Sequence, residues 1–371
     1  MENHLHRMRT HMREEGIRHF YCTDLSNVKW LTSFSGVFDD EPAHLAFVSN
    51  DEALLHTDSR YEDAAKRAAH NSAWSVDASG GFHSRWAAER LSCDEACAVC
   101  EASAFLAIED SMSLATFRQL EKNLAGKGLP PAVETSNFVL KLRAVKDDME
   151  IAAMKAAQAI TDAAFEHIVS FMHVGMTECE VQLELEETMR RLGAEGLAFS
   201  SIVASGANGA APHSIPGEKV LEPGDMVVLD FGARKDGYCS DMTRTVCMGY
   251  ASEEAKRVYA AVRAANESVE RMLCPGVTGA EAHELAERVL EQAGYGGKMG
   301  HGLGHGVGID IHEQPNLSPR NTDSLCAGNV VTVEPGVYLS GVLGCRLEDF
   351  GVITPDGFEV FTQSTHELVI I

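Results

Sequence analysis

Apolar positions near the N-terminus fall at helical spacing, with Leu5, Met8 and Met12 on one face of residues 1–16. Short apolar runs then alternate with helical stretches. Leu45 to Val48, Ala53 to Leu55 and Phe105 to Ile108 read as strands, and Tyr61 to Ala69 reads as a helix. This alternation predicts a small α/β unit. Pro130-Pro131 interrupts it, so the boundary is placed there, dividing the chain into domains 1–130 and 131–371.

Beyond the boundary, a helix opens at Lys146-Asp147-Asp148 with acids in its first turn and Ile151, Met154, Ile160 and Phe171 behind them. A second helix carries Val181, Leu185, Met189 and Leu192 on one face, and a Gly/Ala/Ser-rich loop leads from it to a buried strand, Met226 to Leu229. The same order then recurs. A helix with Val258, Val262, Val269 and Leu273 precedes one opened by a Thr278/Glu281 capping box, a glycine-rich stretch and the strand Val330 to Val333. Residues Leu221 to Gly232 align with Leu325 to Gly336 without a gap, so this domain reads as an internal duplication.

The duplication places chemistry as well as structure. Each repeated strand ends in a carboxylate, Asp230 or Glu334, and each is preceded by a His-x-x-Pro, His213 to Pro216 or His312 to Pro315. A second carboxylate follows 11 or 14 residues later, Asp241 or Glu348. That distance suits a strand, a tight turn at Gly237 or Gly344, and a returning strand. Two halves packed about a pseudo-two-fold axis would bring all four carboxylates to one place.

Composition limits what such a cluster can serve. A chain of 371 residues exceeds the usual single domain, and 45% hydrophobic with 7% aromatic residues fits a soluble globular protein. The formal charge of −24, from 55 acidic against 31 basic residues, repels phosphate backbones and anionic bilayers, which argues against nucleic acid or a membrane as partner. The N-terminus lacks a signal-type apolar run and no stretch reaches the ~18 apolar residues of a membrane span, so a cytoplasmic location is expected. Ten cysteines are then expected as reduced thiols. Cys93, Cys97 and Cys100 have a C-x3-C-x2-C spacing able to offer thiolates to an iron–sulfur cluster, but without a fourth ligand a cysteine-rich helix or turn is the preferred reading.

Four converging carboxylates raise one another's pKa and destabilise a fold unless cations neutralise them. Taken singly, each acid is an ordinary solvent-facing residue at a strand end. Taken together with an imidazole from the segment Gly300 to Gly308, they form an oxygen-dominated site for two divalent ions, with manganese preferred over cobalt, zinc or iron.

Several motifs carry a family resemblance. Ser205-Gly206 with Pro212-His213, Leu229 to Gly232, Ser240 to Thr245, Gly300 to His305 with His312-Glu313, Val333 to Gly336, and Arg346 to Asp349 resemble the creatinase, aminopeptidase P and prolidase family. Asn27 to Thr32 and Thr57 to Tyr61 resemble its N-terminal domain, so the likeness spans essentially the whole chain. It implies a creatinase-like N-terminal α/β domain and a duplicated "pita-bread" catalytic domain. It further implies Asp230 and Asp241 on one ion, His305 and Glu334 on the other, and Asp241 and Glu348 bridging.

Within that resemblance Glu334 is also the general acid–base, His213 and His312 donate to the carbonyl oxygen or oxyanion, and His301 orients the site. Thr243 and Arg346 hold Asp241 and Glu348, with an ordinary buried ion pair the equal alternative for Arg346. The expected activity is removal of the N-terminal residue from short Xaa-Pro peptides. Prolidase-like chains often place an arginine just after His-Glu-x-Pro to grip a dipeptide carboxylate, and Asn316 stands there instead, which leaves Xaa-Pro dipeptidase as the alternative. A metal-free creatinase-like amidinohydrolase and a non-catalytic binding module are disfavoured because every ligand type is present. Family analogy implies a homodimer.

Overall fold

The computed structural model describes residues 4–39, 41–93 and 104–371. Of the cysteine triplet, Cys93 is exposed, while Cys97 and Cys100 lie outside the described residues. The chain forms two compact units, Met1–Arg143 and Ala144–Ile371.

In the first unit, six strands form one mixed sheet in the order Ser75–Asp77, Ala53–His56, Leu45–Ser49, Ile17–Cys22, Ala104–Ile108, Val133–Glu134. The apolar runs read as strands are buried because helices His83–Leu91 and Leu114–Gly126 share a core with Tyr21, Leu45, Phe47 and Leu106. Helix His4–Glu14 buries Leu5, Met8 and Met12, as their spacing requires. The unit runs past Pro130-Pro131, because Val133–Glu134 pairs in parallel with Ala104–Ile108 and helix Phe138–Arg143 follows it.

The second unit contains the duplication. Helices Asp148–Phe171 and Glu178–Arg191 open with capping boxes, Asp147/Glu150 and Thr177/Glu180, and pack on the antiparallel strands Ile202–Ser205, Met226–Phe231 and Met242–Cys247. Helices Glu253–Met272 and Gly279–Gln292 repeat this, the latter with the Thr278/Glu281 box. They cover Glu313–Leu317, Gly304–Gly306, Val330–Val333, Asp349–Thr354 and Gly357–Val360, in that sheet order. Phe171 and Leu192, at the ends of the first pair of helices, lie beyond the core and are 40% and 46% exposed.

The return turns differ between the halves. Asp236 and Gly237, both with positive φ, turn the chain between Ala233–Lys235 and Tyr238–Cys239. In the second half Gly341 (φ 74°) occupies the turn instead of Gly344, which lies inside strand Leu343–Arg346 opposite Tyr338. A Cβ at Gly344 would run into the Gly209 carbonyl, so this glycine serves a close approach of two backbones.

Two backbone pairings on strand Met242–Cys247 are among the contacts that tie the halves together. Thr243 and Glu348 form a backbone bridge, with the Glu348 amide donating to the Thr243 carbonyl at 3.0 Å. At the far end of the same strand the Cys247 amide donates to Val369 O and the Ile371 amide to Cys247 O, both at 2.9 Å. No helix among the described residues is long and apolar enough to cross a membrane.

Candidate metal centre

Strand pairing fixes the carboxylates. Asp230 sits in Met226–Phe231 between Ile202 and Thr243 on the neighbouring strands. Asp241 and Glu348 immediately precede strands Met242–Cys247 and Asp349–Thr354, and Glu334 follows Val330–Val333 with its amide donating to Leu303 O at 2.9 Å. The duplicated positions therefore converge where the Thr243–Glu348 bridge joins the halves.

His305 lies in Gly304–Gly306, its amide donating to Thr332 Oγ1 at 3.0 Å. Its Nδ1 is 3.0 Å from the Gly306 carbonyl, which can only accept, so Nδ1 carries the proton and Nε2 a lone pair. Nε2 stands 3.6 Å from both Asp241 Oδ2 and Glu334 Oε1. One ligand atom each of Asp241, His305 and Glu348 lies within 4.8 Å of the others.

The electrostatics are those of anions short of a counter-charge. Burial, then Glu348, Asp230 and Glu334, push the Asp241 carboxyl well above its usual range. Burial, then Glu334 and Asp230, do the same to Glu348, and burial with Asp230 raises Glu334 to about 8 despite Arg346. Burial lowers His305 to about 4, so its ring is neutral. Asp230 Oδ1 is buried with no hydrogen-bond partner. Lone pairs on a neutral imidazole and several carboxylates thus face one another at distances too long for hydrogen bonds. Divalent cations fit this donor set, which is oxygen-rich with a single imidazole.

Arg346 forms a buried ion pair, the equal alternative expected for it, and the partner is Asp230. Its Nη2 pairs directly with Asp230 Oδ2, while Nε donates to Thr243 Oγ1 at 3.0 Å and Thr243 Oγ1 donates to Glu348 Oε2 at 2.7 Å. Asp230 is therefore held by Arg346, and Glu348 is reached only through Thr243. Arg346 Nη1 also donates to Tyr338 Oη at 2.8 Å, and Tyr338 Oη lies 3.0 Å from His301 Nε2. Since His301 Nδ1 faces the Gly302 carbonyl at 2.6 Å, the tyrosine hydroxyl is the donor in that pair. Burial drives Tyr338 up to about 12 and His301 down to about 4, which keeps the hydroxyl protonated and the imidazole neutral.

His312 is exposed, its ring edge-on to His305 with centroids 4.4 Å apart. His213 is also exposed, close enough to His301 to depress its pKa, and the preceding Pro212 carbonyl accepts from Arg346 Nη1 at 3.4 Å. Both histidines are thus exposed, whereas Asp230, Asp241 and Glu348 are buried.

Three supporting groups are not apparent from the repeat alone. Tyr338 follows the Glu-Pro-Gly of the second half, and its position two residues along a strand was the available signal. Arg244, 1% exposed, donates Nη1 to Glu348 O and Nη2 to Asp349 Oδ1, each at 2.7 Å. Lys146 Nζ and Glu313 Oε2 form a buried pair at 3.1 Å beside His312. Buried charges in otherwise apolar or short segments gave a cue to their importance but not to their partners.

Comparison with known proteins agrees with this geometry. Residues 152–355 match the model of metallopeptidase family M24, and residues 4–145 match the creatinase/prolidase N-terminal domain. An uncharacterized peptidase of Bacillus subtilis, YqhT, is 38% identical over 99% of both chains. Among solved structures, an Xaa-Pro dipeptidase from Bacillus anthracis superposes with a TM-score of 0.89 at 37% identity, covering 99% of each chain. An X-Pro aminopeptidase from Thermotoga maritima superposes with a TM-score of 0.85 at 34% identity, covering 98% of this chain and 100% of that one. The duplicated second unit has the pita-bread fold, and the chain belongs to metallopeptidase family M24, with a creatinase/prolidase-type domain preceding its catalytic domain.

Proposed function

We propose that this metallopeptidase is an Xaa-Pro dipeptidase working with two divalent ions held by Asp230, Asp241, His305, Glu334 and Glu348. The observation that carries the metal reading is the His305 Nε2 lone pair, 3.6 Å from both Asp241 Oδ2 and Glu334 Oε1 among buried acids. For the substrate, the greater likeness to the Bacillus anthracis Xaa-Pro dipeptidase than to the Thermotoga maritima X-Pro aminopeptidase outweighs the expectation drawn from Asn316. Asn316 still favours the aminopeptidase as the second reading: its side chain is a neutral amide 3.4 Å from Gln314 Oε1 and brings no positive charge to a dipeptide carboxylate.

When bound, divalent ions lower the pKa of water to give a nucleophile near neutral pH and polarise the scissile carbonyl. Glu334 would take the proton of the water that attacks the carbonyl carbon and pass it to the prolyl nitrogen, a tertiary amide nitrogen with no hydrogen of its own, as the C–N bond breaks. His213 and His312, both exposed, donate to the carbonyl oxygen as charge develops there. Arg346 fixes Asp230, Thr243 fixes Glu348, and Tyr338 with His301 braces the arginine.

Manganese is the first ion to test, followed by cobalt, zinc and iron. A cytoplasmic homodimer completes the reading, and sedimentation checks the assembly. The deciding experiment compares Xaa-Pro with Xaa-Pro-Xaa hydrolysis by metal-reconstituted protein, with EDTA as control. Preferential cleavage of the dipeptide, abolished by EDTA, is expected. Cleavage confined to the longer peptide would transfer the assignment to the aminopeptidase, and turnover indifferent to chelation would remove the metal reading.

A further inference from the structure

Both ends of the loop that carries His213 are fastened to one buried carboxylate. Glu178 is the first residue of helix Glu178–Arg191 and is 0% exposed. Its Oε1 accepts from the Ser205 amide and the Ser205 hydroxyl, each at 2.7 Å, and from Asn208 Nδ2 at 3.1 Å. Its Oε2 accepts from Asn208 Nδ2 and from the Gly217 amide, each at 3.2 Å. Ser205 and Gly217 bracket the segment that contains Pro212 and His213.

The duplication supplies an internal control. Thr177 and Thr278 are equivalent N-caps, each in a capping box, and each forms a backbone bridge, Thr177 to Val220 and Thr278 to Ser324. The residue after Thr278 is Gly279, where the first half has Glu178. A Cβ at Gly279 would run into Asn316 O, which also accepts from Asn321 Nδ2 at 2.6 Å. The stretch following His312 therefore lies directly against its helix start, with no side chain between. The helix start needs no acid at its first residue, because Thr177 and Glu180 already cap it and because the second half, with Thr278 and Glu281 in the same roles, has Gly279 there. Burying a carboxylate is costly unless its oxygens are well satisfied, and these are satisfied entirely by the loop and its ends.

We propose that Glu178 is a positioning residue that holds the Ser205–Gly217 segment so that His213 meets the scissile carbonyl, an inference that rests on the role assigned to His213 above. The second half positions His312 by direct backbone packing; the first half uses a side chain as a staple. Glu178 itself touches neither substrate nor ions.

The test uses full-length Glu178→Gln, whose amide nitrogen faces hydrogen-bond donors and forfeits part of the staple. Amide exchange of the metal-loaded and the metal-free protein should be about tenfold faster across residues 205–217, with helix 178–191 beyond its first turn unchanged. Turnover should fall roughly tenfold in kcat with KM within about twofold and metal content unaltered, because the lost contact belongs to the transition state. Adding His213→Ala to Glu178→Gln should cost no more than His213→Ala alone, since both remove the same contribution. Unchanged exchange at Ser205 and Gly217, or fully additive losses, would overturn the proposal. If His213→Ala alone leaves turnover intact, the role of His213 fails, and the exchange measurement still decides whether Glu178 holds the loop. Should Glu178→Gln not fold, Asn208→Ala removes the two Asn208 bonds to Glu178 from the loop side; faster exchange between residues 206 and 216 is then expected, and unchanged exchange there would overturn the proposal.

Discussion

At the scale of single residues, the site is a set of charges held where charges are expensive. In the proposed mechanism Glu334 carries the greatest chemical load, and Glu334→Gln should leave a folded protein whose hydrolysis is lost; circular dichroism and a turnover assay check both halves of that statement, and near-normal turnover would remove the acid–base assignment. The raised carboxyls have a consequence for pH. In the metal-free protein Glu334 holds its proton to about 8, against an ordinary value of 4.5. The folded state therefore binds more protons than the unfolded one between those limits, so this group's contribution to stability falls as pH rises through the window. Bound cations keep the acids ionised and remove the penalty. The gap between metal-loaded and EDTA-treated Tm should widen from pH 5 to about pH 8; a gap that narrows would contradict the crowding of these acids. The four proposed carboxylate ligands could be named from sequence because they stand at or near strand ends in both repeats, and His305 because of the glycine-rich motif that carries it. The Arg346–Asp230 pair and the Tyr338–His301 contact could not, since nothing in local sequence says which of several buried carboxylates a guanidinium will reach.

Among the elements, helices were the most legible. Their apolar faces recur every three or four residues, and Asp147, Thr177 and Thr278 mark their starts. Strands Met226–Phe231 and Val330–Val333 were legible as apolar runs, but the order of the six strands in the first unit was not, because it depends on pairings between distant segments. Gly344 shows the limit most directly. A glycine between two strands reads as a turn, whereas this one is pressed against the Gly209 carbonyl from another part of the chain. Gly344→Ala should accordingly lower stability by about 1–3 kcal/mol through overpacking, measured by urea unfolding, whereas Gly341→Ala acts only through its positive φ and should cost about 1 kcal/mol. Equal effects at the two positions would contradict the assignment of the turn.

Across the whole molecule, the duplication was legible because twelve consecutive residues of one half align with the other; that alignment pairs Asp230 with Glu334, and a second carboxylate, Asp241 or Glu348, follows each 11 or 14 residues later. Substrate choice was less legible, since a single side chain such as Asn316 weighs little against similarity distributed over the entire chain. The strands that join the halves carry a further implication. The last residues, Val369 to Ile371, pair with Cys247 of the first half, and Glu348 pairs with Thr243, so the second half covers both ends of the first half's edge strand Met242–Cys247. Neither half should be self-sufficient, yet a nicked chain should stay assembled. Co-expressed fragments ending and beginning in the connection around the exposed Tyr250 should recover metal-dependent hydrolysis that neither shows alone, and deleting Val369 to Ile371 should weaken that reassembly. A repeated domain of this kind behaves less as two copies in tandem than as a covalently linked heterodimer, whose interface is also its proposed metal centre.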